Sequence, residues 1–196
     1  MGKQMLSEFP EQLLSVRYVE PEDVVLEIGS NVGRNTLIIS KILNDSSNLV
    51  TLEANKNDHQ KLVSNLASNG SKAIAINAAL SKQRLALKGL RSYPIEEAPK
   101  GAVEIPTIKY EDLPRRDFNV LILDCEGAFY LILKTYPQIL DRVRKILVEN
   151  NYSSLEQYKY VDEELKKRRF SKVYSGKLTR NVDMPCRDRF YEVYIR

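Results

Sequence analysis

The chain alternates short apolar runs with stretches in which apolar residues recur every three or four positions. Val24-Val25-Leu26-Glu27-Ile28 is a strand-type run, and Thr36–Leu43 behind it has helical spacing. Asn48–Glu53 predicts a second strand. Asn57–Asn69 predicts a helix with Leu62, Val63 and Leu66 inward, stopped by Gly70. Lys72–Leu80 predicts a third strand and its exit. Phe118–Asp124 is the clearest buried strand, and the helix after it, about Ala128–Asp141, is bent or split by Pro137. Val143–Glu149 predicts another strand. A long amphipathic helix then runs to Arg169, capped by Ser153 or Ser154, with Glu156 in capping-box position relative to Ser153. Phe170–Ser175 and Phe190–Ile195 close the pattern as two strands. Ahead of all this, Leu6–Val19 predicts a short helix with Leu6, Phe9, Leu13, Leu14 and Val16 available for one face, ended by Pro21.

Between the third strand and Phe118 the pattern is less regular. Gln83–Gly89 is available for an extra strand, Pro94 and Pro99 mark a surface excursion, and Pro106 confines Ile105–Tyr110 to a sheet edge. Strands alternating with helices predict a doubly wound α/β fold, a mostly parallel sheet with helices on both faces. Ligands in such sheets bind beyond the carboxyl ends of the strands. Glu27, Glu53, Asn77, Asp124 and Glu149 all fall there. Acidic and polar residues at the tips of otherwise apolar strands are hard to explain by packing, so this convergence is the main functional signal.

The turn after the first strand carries Gly29 and Gly33, which let the backbone turn sharply and let a ligand come close. Their spacing is G-x-x-x-G and not the G-x-G-x-x-G of dinucleotide enzymes, so no pyrophosphate cradle is indicated. Glu53 lies 20 residues beyond Gly33, matching the ~20-residue offset at which an acid receives ribose hydroxyls. A carboxylate accepts from both hydroxyls of one diol; the alternative is a solvated strand-end glutamate.

The 196 residues fit one domain, read as a helical lead-in over 1–20, a cofactor-binding core over 21–150 and a final helix and strand pair over 151–196. A net charge of +4, from 30 basic and 26 acidic residues, permits attraction to polyanions without demanding it. The basic run Lys166-Lys167-Arg168-Arg169 complements the end of a helix dipole. Cys125 and Cys186 form no CxxC, and with one histidine in the chain a zinc site is not indicated. No apolar run approaches a membrane span, and Met1–Pro10 lacks the stretch of a signal peptide, so a cytoplasmic protein is expected.

Val25-Leu26-Glu27-Ile28-Gly29-Ser30-Asn31-Val32-Gly33 resembles motif I of the class I S-adenosylmethionine-dependent methyltransferases, and Leu52-Glu53-Ala54-Asn55 resembles their acidic second motif. Three later segments resemble the FkbM-type members: Asn77-Ala78-Ala79-Leu80-Ser81, Leu121-Ile122-Leu123-Asp124-Cys125-Glu126-Gly127-Ala128 and Ile146-Leu147-Val148-Glu149. Phe129 stands where that family commonly has a second glutamate, and Ala54 where it usually has proline. The resemblance implies a Rossmann-like sheet with an antiparallel final strand. It implies that Glu27, Gly29, Ser30, Asn31, Gly33 and Asn35 line the methionine end of the cofactor, that Glu53 with Ala54 holds the ribose, and that Asn77 and Ala78 flank the adenine. Asp124 falls near the methionine ammonium or the reacting centre.

The resemblance further implies an O-methyltransferase acting on a hydroxyl of a sugar, glycan or glycosylated small molecule. Methyl transfer is a direct displacement that needs alignment and a proton acceptor; Asp124, Glu126 and Glu149 are the candidates by position. His59 reads as a helix-start residue. Mg²⁺ held by Asp124, Glu149 and Asn150 is a less favoured alternative, although such oxygen ligands suit a hard cation. In the segment Gly176–Arg189, the side chains of Arg180, Asn181, Asp183, Arg187 and Asp188 are available to a polar substrate. Tyr191 beyond it offers a flat apolar face, and Cys186 is a bystander. Competing functions are an RNA methyltransferase, favoured only by the charge, and a cofactor-binding subunit without catalysis. With little insertion to cap a substrate, a homodimer or a place in a larger glycan-modifying protein is expected.

Overall fold

The computed structural model describes residues 9–179 and 183–196; Leu6, Arg180 and Asn181 lie outside them. The elements are α1 (Phe9–Tyr18), β1 (Val25–Ile28), α2 (Arg34–Ile42), β2 (Leu49–Leu52), α3 (Lys56–Ser68), β3 (Ile74–Ile76), β4 (Ala79–Leu80), β5 (Leu85–Lys88), β6 (Arg91–Pro94), β7 (Val103–Ile105), β8 (Thr107–Ile108), β9 (Val120–Leu123), α4 (Phe129–Thr135), β10 (Lys145–Glu149), α5 (Leu155–Lys167), β11 (Ser171–Gly176) and β12 (Tyr191–Ile195).

Seven strands form the central sheet in the order β11-β12-β10-β9-β1-β2-β3. β1, β2, β3, β9 and β10 run parallel, and β12 lies antiparallel between β10 and β11. The doubly wound sheet with its antiparallel final strand is therefore as the sequence pattern and the resemblance led one to expect. Strand order reverses between β1 and β2 on one side and β9 on the other, the switch point at which α/β sheets open a crevice.

Period-two alternation assigns the two faces. Leu26, Ile28, Leu121, Leu123, Ile146 and Val148 pack into the core that α4 and α5 cover. Val25, Val120, Ile122 and Leu147 pack into the second core, with Leu14 of α1 and Ile39 of α2. Glu27, two residues after Val25, faces the α1–α2 side.

The crossover from β3 to β9 holds no α-helix, in keeping with the extra strand and the edge strand read from its sequence. It is a three-stranded meander, β6-β5-β7, beside a parallel pair, β4 and β8, with Pro106 breaking the run between β7 and β8. On α1 the buried residues are Leu14 and Ser15, while Phe9, Leu13 and Val16 are 50%, 52% and 60% exposed. At α5 the cap is Ser154, whose Oγ accepts from Gln157 N, and Gln157 Oε1 accepts from Ser153 N. The reciprocal pairing thus uses Gln157 and not Glu156. Pro137 does split its helix, into α4 and a 3₁₀ turn, Pro137–Leu140.

Candidate functional site

A cleft of about 130 Å³, open to solvent on one side, runs along the tips of β1, β2 and β9. Ile28, Gly29, Asn31, Glu53 and Asp124 line its inner side. Leu80, Leu85, Leu87 and Leu90, with Ala128 and Ile132, give it an apolar lining. Two smaller cavities adjoin it. One is lined by Glu11, Glu27, Gly29, Asn31, Asn35 and Asp124. The other lies between α1 and the sheet and includes Glu11, Asp124, Glu149 and Tyr191. Asp124 borders all three.

The glycine turn is built against the protein itself. Gly29 has φ +90°, and a Cβ there would lie 1.8 Å from the carbonyl oxygen of Asp124. At Gly33, φ +88°, the same atom would lie 2.5 Å from Leu62 Cδ1. The space that the sequence suggested for an approaching ligand is thus taken by the exit of β9 and by α3. Asn31 also has positive φ, +50°, a region Asn tolerates better than most residues. Its Oδ1 accepts from Val32 N, while its own backbone N–H donates to Glu53 Oε2 at 2.7 Å.

Glu53 is held through both of its carboxylate oxygens. Oε2 takes the Asn31 amide and Oε1 the Asn55 amide, both at 2.7 Å. Burial pushes its pKa above the usual carboxylate range, and the two backbone amides oppose that rise. Each oxygen has a second lone pair, so the group can still receive a diol. Asn77 lies behind this loop, its Nδ2 donating to the carbonyls of Glu53 and Ala54 at 2.8 and 3.2 Å. Its side chain braces the loop after β2, whereas Ala54 and Ala78 line the cleft. Asn55 caps α3 through Asn57 N and Asp58 N. His59 sits in the first turn of α3.

Glu27 lies one residue inside the strand tip and is 2% exposed. Thr36 Oγ1 and Thr51 Oγ1 donate to its Oε2 at 2.6 and 2.8 Å, and Asn35 Nδ2 to its Oε1 at 3.3 Å. Ser15 Oγ donates to Asn35 Oδ1 at 2.9 Å, which brings α1 into the network. Burial raises the Glu27 pKa to about 7 against the pull of these donors. Ser30 Oγ donates to the Leu52 carbonyl at 3.2 Å, joining the glycine turn to β2.

After β9, Asp124, Cys125 and Glu126 all line the cleft. Glu126 has φ +53°, its carboxylate accepts from Asn151 Nδ2, and burial raises its pKa while Arg91 opposes the rise. Gly127, φ +83°, packs where a Cβ would meet the Asn151 carbonyl at 2.6 Å. Burial pushes the Cys125 and Cys186 thiols up to about 12 and about 11, so neither is a thiolate at neutral pH. Glu149 faces the smaller cavity beside Asp124, and the carboxylate oxygens of Glu11, Asp124 and Glu149 lie within 4.8 Å of one another. Asn150 is not with them: its Nδ2 donates to the Arg189 carbonyl and to buried Glu192 at 2.7 and 2.9 Å. The oxygen cluster is therefore Asp124, Glu149 and Glu11, whereas the set named from sequence as the less favoured alternative was Asp124, Glu149 and Asn150.

With this geometry in view, the solved structures are informative. An rRNA methylase from Streptococcus thermophilus superposes with a TM-score of 0.62 at 11% identity, over 97% of this chain and 96% of its own. A precorrin-6y C5,15-methyltransferase from Geobacter metallireducens gives 0.54 at 15% identity, over 100% and 90%. An uncharacterized protein from Listeria monocytogenes gives 0.59 at 11%, and the chain, 94% covered, spans 65% of its length. The chain shares their Rossmann-like fold. No protein-family model and no curated protein matches the sequence.

Glu11 is the residue that sequence reasoning missed. It shares a side of α1 with Leu14 and Ser15, at spacings of three and four, but the apolar stripe of Phe9, Leu13 and Val16 pointed to another side. Asp183 and Asp188 are exposed and Arg187 is half-buried, in a loop pinned by Leu178 N donating to the Arg187 carbonyl at 2.8 Å. Tyr191 is buried edge-on against Phe190, centroids 4.9 Å apart, and offers no open stacking face. Among the described residues no helix is long and apolar enough to cross a membrane.

Proposed function

We propose that this chain is an S-adenosylmethionine-dependent methyltransferase acting on a hydroxyl of a sugar, glycan or glycosylated small molecule. The observation that carries the reading is Glu53, fixed by two backbone amides at the floor of a half-apolar cleft with acceptor capacity to spare. Such a carboxylate suits a ribose diol. The leucines of β4 to β6, with Ala78 and Ala128, suit a flat base. Asp124, and the acid-lined cavity it shares with Glu11 and Glu27, suit the positive sulfonium and ammonium.

The cofactor supplies, when bound, a methyl group that an oxygen nucleophile displaces directly. This chain's part is to align the hydroxyl and take up its proton. Asp124 and Glu126 line the cleft and are the proton acceptors we assign, with Glu149 next to Asp124. The raised pKa of Glu126 makes its carboxylate a stronger base than an exposed one.

An RNA acceptor is the second reading, supported by the fold shared with an rRNA methylase and by the net charge of +4. Calorimetry with S-adenosylmethionine and S-adenosylhomocysteine tests the cofactor; absence of heat with both sinks the proposal. Labelled methyl transfer to a panel of sugars, glycosides, tRNA and rRNA, with and without chelator, then tests the acceptor. Label in sugars, unchanged by chelator, is expected; label confined to salt-sensitive RNA complexes replaces the acceptor class.

A further inference from the structure

Arg91 ties the meander across the cleft. β5 and β6 form a hairpin with the two-residue turn Gly89–Leu90, Lys88 facing Arg91. Leu90 and Ser92 line the cleft, and Arg91 between them reaches the segment after β10. Its Nη1 donates to Ser153 Oγ at 2.8 Å, and its Nη2 to Asn151 Oδ1 and to the Asn151 carbonyl at 3.2 and 3.3 Å.

A guanidinium only donates and a carboxylate only accepts, so the amide between them has one workable orientation. Asn151 turns Oδ1 to Arg91 and Nδ2 to Glu126. Glu126 lines the cleft as well. The relay Arg91–Asn151–Glu126 therefore closes a ring around the cleft, from the hairpin to the loop after β9. The three strands of the meander pair only with one another, with no ladder to the central sheet. Its anchors are the β4–β8 pair that follows β7, the buried Leu85, Ala86 and Ile105, and the side chain of Arg91.

We propose that Arg91 is a positioning residue, the clasp that holds the meander over the cofactor cleft and sets how fast the cofactor leaves. The inference rests on the function proposed above. A planar fork with several donors can engage Ser153 and Asn151 together, whereas a lysine ammonium has no such fork. Because the clasp is partly solvent-exposed, it can open without unfolding the sheet.

The test compares Arg91→Ala, Arg91→Lys and Arg84→Ala. The last breaks an exposed ion pair with Glu104 on the same meander and controls for loss of a surface charge. Stopped-flow release of S-adenosylhomocysteine is expected to quicken about tenfold in Arg91→Ala, to be only partly restored in Arg91→Lys, and to stay unchanged in Arg84→Ala. In the free protein, backbone hydrogen exchange over residues 87–92 is expected to quicken by a similar factor in Arg91→Ala alone. Release and exchange equal to the parent in Arg91→Ala overturn the proposal. A parent protein that fails to bind S-adenosylhomocysteine overturns the proposed function instead, and the exchange measurement still decides the clasp.

Discussion

The hydroxyl of Thr36 donates to Glu27 across 2.6 Å inside the protein, pinning the start of α2 to β1. Burial holds the Glu27 pKa at about 7 against an ordinary 4.5. The folded chain therefore keeps a proton between those pH values that the unfolded chain has released. Stability falls as pH rises through this window and levels off above it. In Glu27→Gln the titration is absent. Urea midpoints at pH 5 and pH 8 should show the parent losing about 3 kcal/mol more than the variant across that interval. Equal losses would contradict it.

Gly29 and Gly70 make a matched pair. Both have positive φ, but a Cβ at Gly29 meets the Asp124 carbonyl while nothing lies within 4 Å of one at Gly70. Gly70→Ala should cost about 1 kcal/mol, the strain of φ alone. Gly29→Ala should cost roughly 4 kcal/mol or more, because backbone must move. Chemical denaturation of the two variants separates the effects.

Glu53→Ala removes the acceptor and leaves the Asn31 and Asn55 amides to water. A hydrogen bond to a charged group is worth roughly 1.5–3 kcal/mol, so S-adenosylhomocysteine affinity should fall by a factor of roughly ten to a hundred. Far-UV circular dichroism should be unchanged. Parent-like affinity in a folded variant would count against the ribose role.

Tyr152 and Tyr194 are both nearly inaccessible, 1% and 2% exposed. The Tyr152 hydroxyl has no hydrogen-bond partner among the described residues, while the Tyr194 hydroxyl lies 2.7 Å from Glu192 and 3.1 Å from Asp162. Tyr152→Phe should hold or raise stability, and Tyr194→Phe should lower it by about 1–3 kcal/mol. Thermal or urea unfolding of the two variants reads the contrast.

The alternation of strands and helices was legible because each element buries a face, and burial writes itself into local spacing. Glu53 was legible too, from its distance to Gly33. What stayed hidden depends on neighbours distant in sequence. Arg91 and Asn151 are 60 residues apart, and no periodicity connects them. Nor does any local pattern distinguish Glu11, whose placement follows from which side of α1 meets the sheet. Glycine was read correctly as a turn former at positions 29 and 33, yet the close neighbours turned out to be Asp124 and Leu62, since a sequence shows that room is needed without showing for what. Between β3 and β9 the prolines at 94, 99 and 106 had marked strand and loop in place of helix, and the chain forms no α-helix there.

The C-terminal hairpin offers a mechanical contrast with the meander. Glu192, fully buried, gathers Asn150, Tyr158, Lys172, Ser175 and Tyr194 on one carboxylate. Pulling any of those partners away leaves charge stranded in the interior, so that flank resists deformation as a block. On the opposite flank, the β5–β6 turn meets the segment after β10 through the Arg91 guanidinium at the surface. The clasp proposed for Arg91 would thus let the crevice open from the meander's side, like a book bound along its C-terminal edge.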